Sequence, residues 1–154
     1  MKIILSNKFN YPRGGDCIYT MELEKLLIKN GHEVAMFSMQ HPLNNDSKYD
    51  NYFPSEVDYE DKSIGNRIKQ VSRMLSSKEV KKKFNLLIDE FKPDIVHVNN
   101  IHSQLSPIIV QVSHERNVPT IWTLHDFKLL CPRYDCMRDG VQCELCFEDK
   151  KNVI

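Results

Sequence analysis

Three groups of residues in this sequence have the types and spacing to do chemistry. The first is His125-Asp126. A histidine at a strand's end can donate to a substrate hydroxyl or stabilise developing charge, and the neighbouring aspartate can orient it or cap the next turn. A satisfied structural histidine is the plain alternative. No GxSxG elbow is present, so a hydrolase triad has little support. The second group is Gly14-Gly15-Asp16. Paired glycines before a helix let a phosphate or a hydroxyl-rich ligand approach the free backbone N–H groups, whereas a tight turn needs no ligand. Neither GxGxxG nor a Gly-Lys-Ser/Thr sequence follows, so these glycines form neither a dinucleotide fingerprint nor a P-loop. The third group is Cys131, Cys136, Cys143 and Cys146, spaced C-x4-C-x6-C-x2-C. Four thiolates could close a tetrahedral structural zinc site with no open position for catalysis. Reduced thiols and a disulfide formed on handling are the alternatives. Cys17 reads as a packing residue.

The elements that must position these groups follow from the apolar patterns. Ile3-Ile4-Leu5 is a contiguous apolar run, which suits a parallel strand covered on both faces. A helix is expected over Asp16 to Asn30, with Asp16 as N-cap and Gly31 as its stop. Glu33 to Ser38 is the next strand, which completes a strand–helix–strand crossover. Gln40 to Lys62 has no period and reads as a long loop. Two stripes follow, Ile64, Ile68, Val71, Leu75 and then Val80, Phe84, Leu87, Ile88, Phe91. Each predicts a helix with one buried face, with Ser76 and Glu79 at capping-box spacing between them. Asp94 to Val98 is the third strand, Leu105 to Val112 a helix, and Thr120 to Leu124 the fourth strand. The alternation predicts an α/β fold, a Rossmann-like doubly wound parallel sheet, ending in a cysteine-rich C-terminal excursion. Ligands of such sheets bind beyond the carboxyl ends of the strands. That rule gathers Gly14, Gly15, Asp16, Asn100, His102, His125 and Asp126 at one crevice.

The chain has 154 residues, with 21 Lys plus Arg against 21 Asp plus Glu. A neutral total argues against a nucleic-acid partner. Hydrophobic residues make up 41% and charged residues 27%, which fits one ordinary globular domain over 1–154 and excludes wholesale disorder. No apolar run is long enough to span a bilayer, and no signal-peptide core stands at the N-terminus, so a cytoplasmic location is expected. The charge is unevenly distributed. Asp46 to Asp61 is acidic, and Lys62 to Lys92 carries nine basic residues against three acidic ones. The basic stretch is either a solvated helix face or a surface that touches anionic lipid at the inner face of a membrane.

Taken in order, several of these pieces resemble the N-terminal domain of family-4 retaining glycosyltransferases of the GT-B fold. They are Gly14-Gly15, Asn30-Gly31-His32-Glu33-Val34, Lys92-Pro93-Asp94-Ile95-Val96-His97-Val98-Asn99, Pro119, and Thr123-Leu124-His125-Asp126-Phe127. Leu130-Cys131-Pro132 and Gly140-Val141-Gln142-Cys143-Glu144-Leu145-Cys146 are similar to a cysteine-bearing branch of that family.

The resemblance implies an acceptor-side domain. It also implies that the nucleotide-sugar-binding C-terminal domain is absent from these residues, so that the chain is inactive alone. Gly14 and Gly15 would lie near the donor phosphates or the acceptor, and His125 would hydrogen-bond the donor sugar. His102 would be a weaker candidate for the same cleft. The donor would be a UDP- or GDP-sugar and the acceptor a saccharide or a lipid-linked saccharide. Transfer would retain configuration without a catalytic metal, in polysaccharide or glycoconjugate biosynthesis. A stand-alone flavodoxin-like nucleotide-binding module and a zinc-stabilised interaction domain are the rival readings.

Overall fold

The computed structural model describes residues 1–59, 63–131 and 133–144. The chain divides into two compact units, Met1–Thr123 and Leu124–Ile154. The first holds four parallel strands, β1 (Lys2–Ser6), β2 (Glu33–Phe37), β3 (Ile95–Val98) and β4 (Thr120–Trp122), in the order β2-β1-β3-β4. Its helices are α1 (Gly15–Lys29), α2 (Ile64–Leu75), α3 (Lys78–Phe91) and α4 (Ile108–Glu115), with a short 3-10 turn at Asp50–Tyr52. The expected Rossmann-like α/β sheet is therefore present.

The apolar run of β1 feeds both faces of the sheet. Ile3 and Leu5 join Met36 and Phe53, against which Leu23 and Leu27 of α1 pack. Ile4 turns the other way, into a cluster with Val96, Phe84, Leu87, Ile88, Ile109 and Val112 from β3, α3 and α4. This two-sided burial is what a contiguous apolar strand requires. In register, Ile4 faces Ala35 on one side and Val96 on the other.

Local signals place the helix ends, with two corrections. Asn30 caps α1 and Gly31 follows at φ 79°, the left-handed conformation a glycine stop supplies. The N-cap, however, is Gly14, and Asp16 stands in the first turn, where its charge favours the helix dipole. The second correction concerns α3. Its N-cap is Ser77, whose hydroxyl accepts the Val80 N–H at 3.3 Å. Ser76 and Glu79 form no capping box, because the Glu79 carboxylate bonds Ser55 and Arg73.

The two amphipathic helices behave differently. In α3, Val80, Phe84, Leu87, Ile88 and Phe91 are buried, as their stripe predicts. In α2, Ile64, Ile68 and Val71 are exposed, against expectation. Among the described side chains of that helix the buried one is Arg73, and the side chain of Leu75, the last of the expected stripe, lies outside the described ones.

The second unit begins where the β-α alternation stops. It holds an antiparallel hairpin, β5 (Met137–Arg138) and β6 (Val141–Gln142). Asp139 and Gly140 both have positive φ, 52° and 81°, which is the type I′ geometry that matches strand twist. Among the described residues no helix is long and apolar enough to cross a membrane.

Candidate functional site

The site lies at the carboxyl ends of β1 and β3, where the chain must leave a buried sheet and expose its polar groups. The Lys8 amide donates to the Asn100 carbonyl at 2.8 Å, and the Asn100 amide donates to Asn7 Oδ1 at 3.2 Å. These bonds splice the two strand-end loops together. Beside them opens a cavity of about 660 Å³, lined in part by Lys8, Arg13, Gly14, Asp16, Asp58 and Gln104.

One wall is the entry to α1. The first bond of that helix runs from the Ile18 N–H to the Gly14 carbonyl at 3.0 Å. The amides before it have no place in the helical ladder and present partial positive charge. Gly14 has an extended φ of −164°, which any residue adopts, so its conformation does not demand glycine. A Cβ there would meet only Asp16 Oδ1, at 3.4 Å, and one on Gly15 would meet nothing within 4 Å. Their own packing does not require glycine; what the two glycines preserve is room beside the helix start. Arg13 stacks on Phe9, with its guanidinium carbon 4.1 Å from the ring centre. Asp16 Oδ2 lies 4.0 Å from Lys8 Nζ and accepts no hydrogen bond. Ser6 Oγ at the last residue of β1, and Asn10 Oδ1 and Asn100 Oδ1 on the strand-end loops, are also buried without a hydrogen-bond partner.

The opposite wall comes from Glu56 to Tyr59, inside the segment the sequence reads as a loop. Gln104 holds it: its Oε1 accepts the Val57 N–H at 3.0 Å and its Nε2 donates to the Val57 carbonyl at 2.7 Å. The Tyr59 hydroxyl donates to the Ser103 carbonyl. Burial pushes the Tyr59 phenol up, against the lowering pull of Arg73, so it stays protonated. Lys8 and Arg13 thus face the cavity with Asp16, Glu56 and Asp58, a mixed-charge lining that suits a hydroxyl-rich ligand.

Sequence reasoning placed Gly14, Gly15 and Asp16 at this end of the sheet, and Gly14 and Asp16 line the cavity. Asn100 braces the loops from beneath. His102 is half-buried, its ring 5.6 Å from that of Trp122. Lys8 stands just past the end of β1, whereas Glu56, Asp58, Tyr59 and Gln104 had no local signal, because what joins them is pairing across 47 residues between Val57 and Gln104. Cys17 is buried, and burial followed by the Asp16 charge pushes its thiol up, as a packing residue requires.

His125 and Asp126 belong to the second unit and are half-buried. Asp126 Oδ1 accepts the Lys128 N–H at 2.9 Å, which caps the next turn. Cys136 and Cys143 flank the hairpin, with the Cys143 N–H donating to the Cys136 carbonyl at 2.7 Å. Cys131, Cys136 and Cys143 are free thiols, and those of Cys131 and Cys136 are hydrogen-bonded to each other. Burial alone would raise Cys131. The N–H groups of Arg133, Cys136 and Tyr134 around its sulfur and the Cys136 thiol outweigh that and hold it below the usual thiol range. Among the described residues no group of three His, Cys, Asp or Glu is arranged to hold a metal ion, and Cys146 lies outside those residues.

Residues 13–136, well over half of the chain, match the sequence profile of Glycosyltransferase Family 4. The match takes in the cavity residues from Arg13 onward, the His125-Asp126 pair, Cys131 and Cys136. The chain is also similar to an uncharacterized 42.6 kDa protein in the cps region of Klebsiella pneumoniae, 29% identical over 153 residues. That similarity covers 91% of this chain and 40% of the relative, so the chain spans about two fifths of that protein's length.

Proposed function

The chain belongs to Glycosyltransferase Family 4, and from that membership we propose that it carries the acceptor side of a sugar transferase. The observation that carries this reading is the cavity at the carboxyl ends of β1 and β3, with its mixed charges, an Asp16 oxygen that accepts no hydrogen bond, and a glycine-cleared helix start. A saccharide offers many hydroxyls, each both donor and acceptor. The carboxylates of Asp16, Glu56 and Asp58 and the cations of Lys8 and Arg13, mixed around the lining, can pair with both roles.

In this reading a UDP- or GDP-sugar is the donor, held chiefly by a second domain, and a saccharide or lipid-linked saccharide is the acceptor. His125 hydrogen-bonds the donor sugar, with Asp126 fixing the turn that presents it. Transfer proceeds with retention, and the leaving phosphate helps to take the acceptor proton. No catalytic metal takes part. A zinc ion held by Cys131, Cys136, Cys143 and Cys146 would be architectural, since four thiolates fill a tetrahedral site. The product belongs to polysaccharide or glycoconjugate synthesis, a reading supported by the relative in a cps region. The work is done in the cytoplasm.

Incubation of the purified chain with labelled nucleotide sugars and saccharide acceptors tests this division of labour. Acceptor binding without transfer is the expected outcome, and transfer by the chain alone would overturn it. Tight flavin or nucleotide binding with no affinity for saccharide would instead favour the flavodoxin-like alternative.

A further inference from the structure

Helix α2 carries two stripes of equal spacing on opposite faces. Asn66, Gln70 and Arg73 stand four and three residues apart, and so do Ile64, Ile68 and Val71. At about 100° per residue the two stripes run back to back. The polar one is turned to the protein. The Asn66 and Gln70 side-chain amides both donate to the Asp58 carbonyl, Gln70 at 2.9 Å. Arg73 donates to the Gln104 carbonyl at 3.1 Å and to Glu79 at 2.7 Å. The apolar stripe is turned outward, with Ile64 81%, Ile68 67% and Val71 56% exposed. Removing such side chains from water is favourable, so this face gains from a partner.

Charge identifies the partner. The helix contains Arg67, Lys69 and Arg73 and no acidic residue. Arg73 is spent inside on Glu79, while Arg67 is exposed. Lys78 and Lys82, at the start of α3, are exposed as well. Not all of the basic stretch is available: Lys81 pairs with Glu115, and Lys83 bonds the Asn51 and Phe53 carbonyls. Protein interfaces are depleted in lysine, whereas an outward apolar stripe on a basic helix is the layout of an interfacial helix on anionic lipid.

We propose that the outward face of α2 docks on an anionic bilayer surface, with Ile64, Ile68 and Val71 at the boundary of headgroups and acyl chains. The Asp58 carbonyl that holds α2 belongs to the segment that walls the cavity, so docking brings that wall to the lipid. The proposal stands apart from the transferase reading, because lipid binding needs neither donor nor acceptor.

Flotation of the chain with phosphatidylcholine vesicles, with and without phosphatidylglycerol, tests it. Salt-sensitive co-flotation with the anionic vesicles is expected. Ile64→Ser/Ile68→Ser/Val71→Ser should weaken it about tenfold or more with an unchanged melting temperature, because the three positions are exposed. Arg67→Glu should weaken it without touching the apolar stripe. Failure of the wild-type chain to float, equal flotation of the triple variant, or stripe-dependent self-association without lipid would overturn the proposal.

Discussion

The Arg73 guanidinium lies 2.7 Å from Glu79 Oε2, with the arginine side chain only 2% exposed and the glutamate 37%. The pair ties the C-terminal half of α2 to the first turn of α3. Glu79 also accepts the Ser55 N–H at 2.7 Å and its hydroxyl at 3.0 Å, so one carboxylate joins both helices to the segment that walls the cavity. Glu79→Gln should destabilise the fold by about 2–4 kcal/mol in urea unfolding, because it leaves a buried guanidinium without its counter-charge. Arg73→Met/Glu79→Leu should recover much of that loss. A double variant less stable than the single one would show that the charges, and not their mismatch, carry the stability.

The same pair gives a pH dependence. Burial by itself would raise Glu79. The Ser55 amide and hydroxyl, then the Arg73 and Lys83 charges, together hold it below the usual carboxylate range. The folded state therefore binds fewer protons than the unfolded one. Its contribution is complete above the unfolded carboxylate value of about 4.3 and is lost as pH falls from there through the lower folded value. The stability gap between wild type and Glu79→Gln should narrow across that acid window. A gap constant with pH would contradict the assignment.

Gln104 acts as a side-chain bridge that stands in for a strand pair. Gln104→Leu keeps the volume but removes both bonds to Val57, and should cost about 1–3 kcal/mol. Hydrogen exchange should lose protection at the Val57 amide and keep it in β1 and β3. Unchanged protection at Val57 would mean that packing, not the amide, holds the wall.

The cysteine unit makes a metal prediction. Metal analysis of the chain purified from zinc-containing medium under reducing conditions decides between an architectural zinc, at about one per chain, and reduced thiols. Cys143→Ser should release it and leave the melting of the first unit unchanged. Metal-free wild-type protein with four titratable thiols in this segment would leave the cysteines as plain reduced thiols.

Much of the sheet was legible because its signals are local. Ile3-Ile4-Leu5 has only one comfortable environment, between two helical layers, and Gly31 marks a helix end by conformation alone. The orientation of α2 was not legible. Periodicity at 64, 68 and 71 says helix, but the side that faces the protein is set by Arg73 meeting Glu79 and Gln104, a contact no local pattern announces. The cavity divides the same way. Gly14 and Asp16 follow from the strand-end rule, while Asp58 and Tyr59 enter through the distant Gln104. The N-cap is Gly14 rather than Asp16 because the first helical bond, from the Ile18 N–H, already closes on the Gly14 carbonyl and leaves Asp16 inside the first turn.

Titration of the chain with saccharide and lipid-linked saccharide acceptors, read as NMR shifts at Gly14, Asp16, Tyr59 and Gln104, tests the acceptor role most directly. Saturable binding is expected. Gly14→Val should weaken it about tenfold by filling the cavity wall, while the lost cap costs the fold only about 1 kcal/mol. Shifts confined to residues outside the cavity, or equal binding by wild type and Gly14→Val, would contradict the assignment of this cavity to the acceptor.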